Sequence, residues 1–167
     1  MRVPSHQNGQ SYKTTRGLSV SDLYERIIGY EKLAAVYGHW PSFHDSEIVS
    51  IRLDRDAGQP LTGALLTVWW HVFRIEVAPD HPQRDDRLVS IVFRKIEDLH
   101  LTDFNHQNAI IDFTLSCRYS SRLRRDTYAI QFKQGFGVDC SFECGEMEIL
   151  SVEPFTPPEW KRASHKH

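Results

Sequence analysis

The chain is poor in the features that mark catalysts, membrane proteins and disulfide-stapled secreted domains. It has only three cysteines, Cys117, Cys140 and Cys144. An odd count argues against a fully paired disulfide framework, and the expectation is a reducing, cytoplasmic compartment. Cys140 and Cys144 stand four apart in a strand-like run, roughly 13 Å at about 3.3 Å per residue. That is too far for a mutual bond and unlike a C-x-x-C metal knuckle. No apolar run approaches the ~20 residues that cross a bilayer. The polar start, Met1 to Arg16, has no apolar core of a secretory leader. A dominant charge is missing too: 20 basic against 22 acidic side chains leave −2. No global field therefore draws in nucleic acid or an anionic membrane, and neither is expected as a partner. No Gly-rich phosphate loop, nucleophile elbow or H-E-x-x-H occurs. No repeat of ~20–50 residues points to a solenoid.

What is present is ordinary globular material, 40% hydrophobic and 25% charged over 167 residues. That length favours one domain and buries enough surface to need no staples. Residues 1–18 read as a disordered lead-in rich in Ser, Gln, Asn and Gly. Residues 19–153 read as a single domain, and 154–167 as a flexible Pro-rich tail.

The domain opens with helical periodicity. Val20, Leu23, Ile27, Ile28, Tyr30, Ala34 and Tyr37 recur at three- and four-residue spacing. Ser19 or Ser21 is a candidate N-cap for a helix from Asp22. Gly29 interrupts the run, so two short helices are expected, the stronger over Tyr30 to Val36. Gly38 suits the left-handed C-terminal position, and Pro41 forbids continuation.

Strand patterns follow. Val49, Ile51 and Leu53 alternate with polar residues. Leu65 to Glu76 is apolar on both faces at first. Runs at 88–96, 99–104, 109–117 (Ile111, Phe113, Leu115 and Cys117 on one face) and 128–133 come next, with a loop over 78–86. A tight turn is expected at Gln134-Gly135. Phe136, Val138, Cys140, Phe142 and Cys144 then alternate cleanly, and Cys144-Gly145-Glu146 reads as a hairpin turn into a last strand. No helix separates these strands, which excludes parallel βαβ units. The expected fold is α+β, mainly β: an antiparallel meander sheet or sandwich of about eight strands with an N-terminal helical region.

Chemistry-bearing residues concentrate in two stretches. The first is Trp40-Pro41-Ser42-Phe43-His44-Asp45-Ser46-Glu47. As a metal site or small hydrolase it would use His44, Asp45 and Glu47 with His39 nearby, N and O donors suited to zinc or manganese. Strand neighbours point to opposite faces, so His44 and Asp45 share an ion only if a turn reorients them. The leading reading is a structural corner, with Trp40 and Phe43 buried and the polar side chains satisfying backbone where helix hands over to sheet. A binding surface ranks next, ahead of the metal site, and can coexist with the structural role. The second stretch, Asp103-Phe104-Asn105-His106-Gln107-Asn108, is either a hydrogen-bonding recognition loop or a turn bonding its own backbone, with one side chain inward. The Arg118, Arg122, Arg124, Arg125 loop with Tyr119 reads first as solvated, with contact to phosphates or to an acidic patch on a protein partner as the alternatives. His71, Cys140 and Cys144 read as core residues. No cofactor is called for.

Gly38 to Ile48 resembles the signature of immunity protein family 50 of bacterial polymorphic toxin systems. Phe104 to Ile110, Cys140 to Cys144 and Ile149 to Glu153 support the resemblance, which spans Tyr30 to Glu153. Ser46 departs from the alanine usual there. The resemblance implies a cytoplasmic antidote that binds and neutralises a cognate toxin domain encoded nearby, with no catalytic residues of its own. Trp40, Phe43, His44, Asp45, Glu47, Asn105, His106, Gln107 and Asn108 are the residues at which toxin contact or a structural corner is expected.

Overall fold

The computed structural model describes residues 20–55, 64–77, 82–121 and 124–156. The expected lead-in, most of the Pro-rich tail, the tips of two loops and Arg122 lie outside them.

Two short helices open the described chain, α1 (Val20–Glu25) and α2 (Tyr30–Tyr37). Gly29 sits at φ 77° and Gly38 at φ 74°, the left-handed region that separates and ends them. The Gly38 amide donates to the Ala34 carbonyl at 2.8 Å. Ile28 is exposed, contrary to the stripe expected, because its backbone has another task. It forms a parallel bridge to Glu148, with Ile28 N–H donating to Met147 C=O and Ile149 N–H donating to Ile28 C=O. The approach is so close that a Cβ on Gly29 would lie 2.5 Å from the Ile149 carbonyl oxygen.

The rest is antiparallel sheet: β1 (Glu47–Arg55), β2 (Ala64–Val77), β3 (Pro82–Thr102), β4 (Ala109–Ser120), β5 (Arg125–Phe136), β6 (Asp139–Cys144) and β7 (Glu146–Pro154). The pairings run β2-β1-β4-β5-β6-β3-β7, and β2 also pairs with β3. The first six of these strands therefore close into a ring. The mainly β, antiparallel fold with an N-terminal helical region is as expected, and among the described residues the runs at 88–96 and 99–102 belong to one 21-residue strand. Strand structure also reaches back to Pro82, so the loop expected over 78–86 is shorter.

The expected hairpin at Gly145 is absent. Both β6 and β7 run antiparallel to β3, from Asp139 opposite Thr102 to Pro154 opposite Arg87. Gly145 keeps the ladder, its amide donating to Arg94 C=O at 3.0 Å. A Cβ there would meet the Arg125 guanidinium, so the glycine admits a crossing side chain and does not make a turn. The tight turn expected at Gln134-Gly135 instead lies at Gly137, φ 85°.

The ring encloses an aromatic core. Phe43 packs on Trp70 (ring centroids 4.6 Å) and Phe113 (5.3 Å), Trp70 on Phe132 (5.1 Å), and Phe93 on Phe142 (4.9 Å). Trp40 stacks on Tyr24 at 4.6 Å and so fastens α1 to the corner. Such ring pairs contribute about 0.5–1.5 kcal/mol each beyond the area they bury. Val138, Cys140, Phe142 and Cys144 all face inward.

Three alternations fail, each where the backbone slips a residue. Register shifts flank Ile110, and Ile110 is buried while Ile111 is 53% exposed. Gly137 breaks the run after Phe136, which is 66% exposed. In β1 a shift between Ile48 and Ser50 buries Ile48 and leaves Val49 and Leu53 outside.

Candidate functional site

The two stretches singled out in the sequence meet in space. Asp45 N–H donates to Ile110 C=O, Ile110 N–H donates to Ser46 C=O, and Ile48 N–H donates to Asn108 C=O, each at 3.0 Å. Glu47 pairs with Ala109, the one point among the described residues where β1 joins β4. The corner and the loop thus form a single joint that closes the ring.

Within the first stretch the residues divide cleanly. Trp40 and Phe43 are buried in the aromatic core. Ser46 is buried as well, its hydroxyl donating to Phe43 C=O. Phe43 and Asp45 both take left-handed backbone, φ 57° and 59°. That turn overrides strand alternation and brings His44 and Asp45 to one side, with Nδ1 3.0 Å from Oδ2. Both side chains stay open to solvent, 56% and 66% exposed. Glu47 is half-buried at the head of β1. Among the described residues no group of three or more His, Cys, Asp or Glu is arranged to hold a metal ion.

The second stretch is a self-bonded turn carrying exposed side chains. Asn108 is buried, accepts from Asn105 N–H at 2.9 Å and donates to Asn105 C=O at 2.7 Å. Asn105 Oδ1 accepts from Gln107 N–H at 2.9 Å. Asn105, His106 and Gln107 are exposed. Gly137 packs beneath: a Cβ there would overlap the Gln107 carbonyl oxygen and lie 2.6 Å from Asn108 Oδ1. Local hydrogen bonds and tight packing hold the loop in one shape while it presents polar side chains outward.

The same joint carries large apolar side chains that the strand pattern did not place there. Phe104 in the loop is 47% exposed, and Ile111 and Phe136 are more so. Phe136 pairs with Ala109 across β4 and β5. Ile111 leans over Gly135, whose Cβ position lies 3.0 Å from Ile111 Cγ1. Exposed apolar side chains thus stand near the exposed Asn105, His106 and Gln107 of the loop. The only sequence hint was the pair of glycines flanking Phe136.

The other sequence candidates fall elsewhere. Arg118 reaches Glu143 at 3.7 Å across the sheet, and Arg125 lies over Gly145. His71 is buried, its Nε2 3.3 Å from Asp86 Oδ1 and its ring 4.7 Å from Phe155. Burial pushes the thiols of Cys140 and Cys144 up to about 12, which keeps both protonated and unreactive. Among the described residues no helix is long and apolar enough to cross a membrane.

Comparison with known proteins places the chain on one finding. The family model described as Immunity protein 50 matches residues 29–155, which takes in both helix-capping glycines, the joint and all seven strands. No curated protein and no solved structure matches the chain.

Proposed function

Because the chain belongs to the Immunity protein 50 family, we propose that it is a bacterial antidote. It binds the toxin domain of a polymorphic toxin system encoded near its own gene, acts in the cytoplasm, and performs no chemistry itself. The family match carries the reading. The joint supports it, since Phe104, Ile111 and Phe136 expose apolar area beside Asn105, His106, Gln107, His44 and Asp45 on a rigid frame. A preformed surface of this kind loses little entropy on docking, and a few aromatic anchors can dominate its affinity. Trp40, Phe43 and Asn108 serve the interface indirectly, by holding the joint in shape.

Co-expression and binding test the reading. The chain is expected to protect cells from the neighbouring toxin domain and to form a 1:1 complex by size exclusion with light scattering. An interface of the usual kind buries about 1,600 Å². Absence of both complex and protection overturns the proposal.

A further inference from the structure

β1 has one partnered edge and one that is open for most of its length. On one side its ladder with β2 runs from Glu47 opposite His71 to Arg55 opposite Ala64. On the other side Glu47 meets Ala109, and Ile48 N–H donates to Asn108 C=O. There the pairing stops. The two strands are antiparallel, so β4 runs away from that point as β1 goes on. Among the described residues no strand pairs with the outer edge of Ser50 to Arg55. Every second residue of this stretch turns a backbone N–H and C=O to the open side.

An open edge is a template for another strand, and sheets commonly blunt it with proline or with lysine and other charges. The edge Ser50-Ile51-Arg52-Leu53-Asp54-Arg55 has no proline, and its charges alternate in sign. Arg52 and Asp54 share a face, with Nε 2.7 Å from Oδ2 and side chains 68% and 37% exposed. Leu53 lies on the opposite face with Ile51. Ile51 packs against the core, whereas Leu53 is 50% exposed. The apolar face of β1 therefore runs on past the core that covers it.

The order of these residues is self-complementary. When the same edge of two copies pairs about a two-fold axis, facing residues must both turn N–H and C=O to the partner, so one residue faces its own copy. With Leu53 on the axis, Arg52 lies opposite the partner's Asp54, and Asp54 opposite the partner's Arg52, with Cβ atoms about 4.5–5.5 Å apart. The two intramolecular pairs then merge into a ring of four alternating charges. On the other face Leu53 packs on its own copy. Moving the axis to Arg52 sets guanidinium against guanidinium, and moving it to Asp54 sets carboxylate against carboxylate. Charge thus selects one register.

We propose that the chain forms a two-fold dimer by antiparallel pairing of β1 with β1 of a second copy, centred on Leu53. A single pair of short edges buries less than the roughly 1,200 Å² of a permanent interface, so the dimer assembles and dissociates with concentration. The proposal goes beyond the antidote reading and does not rest on it. A toxin complex would keep one toxin domain per chain.

Sedimentation velocity of the full chain, without toxin, from low micromolar to several hundred micromolar tests it. The wild type is expected to pass from 19.4 kDa to twice that mass as concentration rises. Arg52→Asp sets like charges opposite each other at both contacts and is expected to weaken dimerisation at least tenfold, and Asp54→Arg does the same. An equimolar mixture of the two variants restores opposite charges at both contacts and is expected to dimerise like the wild type. Both side chains are exposed, so each variant is expected to melt like the wild type. If either does not, the double variant Arg52→Asp with Asp54→Arg, which exchanges the signs and keeps them complementary, takes the place of the mixture. A wild type that stays at one chain's mass at every concentration overturns the proposal and leaves the edge to a strand of another protein. Dimerisation of either single variant at wild-type strength overturns it as well, and so does a mixture, or its replacement, that stays monomeric.

Discussion

The amide of Asp45 donates to the carbonyl of Ile110 at 3.0 Å. Sixty-odd residues separate the two in sequence, yet this bond makes one joint of the 40–47 corner and the 103–108 loop. It also fixes the meaning of the residues around it. Side chains turned inward at the joint hold the ring closed, and those turned outward are available to a partner. Mutations there are expected to separate into two kinds.

Phe43 and His44 are the clearest pair. Phe43→Ala empties a site between Trp40, Trp70 and Phe113 and is expected to cost about 3–5 kcal/mol of stability. His44→Ala removes one member of an exposed ion pair and is expected to cost under about 1 kcal/mol. Toxin affinity measured at a temperature where both variants are folded should fall for His44→Ala. A His44→Ala variant that melts many degrees lower would show that the imidazole is structural after all.

Gly137 and Gly135 make a second contrast. Alanine at 137 must adopt φ 85° and push against Gln107 and Asn108 backbone and amide. A loss of about 2–4 kcal/mol is expected in urea unfolding, with the 103–108 loop disturbed. Alanine at 135 meets the Ile111 side chain at 3.0 Å, which can turn aside, so about 1 kcal/mol or less is expected.

Ser46 is buried and donates to Phe43 C=O, which also accepts from Ser46 N–H at 3.1 Å. Ser46→Ala leaves that carbonyl with a partner. The expected change is within about 1 kcal/mol, read from equilibrium unfolding. A larger loss would mean that the hydroxyl, rather than the backbone bond, holds the left-handed turn.

Cys140 and Cys144 give a pH prediction. Their thiols rise from an ordinary 9.0 to about 12, chiefly because burial disfavours the thiolate. A raised value means the folded state keeps a proton that the unfolded chain loses. The contribution to stability is therefore whole below pH 9 and lost as pH climbs from 9 toward 12. Melting temperature is expected to fall over that window, and less so in a Cys140→Val, Cys144→Val variant. In the folded protein at neutral pH a thiol reagent should modify the partly exposed Cys117 well before the other two.

Much of this could be read from residue order alone. The glycines at 29 and 38 divide and end the helices wherever they are placed, because φ near 75° is cheap only for glycine. The lack of helical segments between strands made the sheet antiparallel. Alternation from Val138 to Cys144 chose its inner face. The motif residues at 38–48 pointed to the immunity family before any geometry was known.

Only the tertiary structure decided which residues the joint exposes. Side chains along a strand alternate with period two, so a slip of one residue inverts every face beyond it. The slips beside Ile48 and Ile110 and the turn at Gly137 are set by what the partner strand and the loop above require, through bonds such as Asp45 to Ile110 that span distant sequence. They turned Val49, Ile111 and Phe136 outward, and made Gly145 a crossing point instead of a turn. Closure of the ring is likewise a property of pairing β1 with β4 and β2 with β3, which no local pattern encodes.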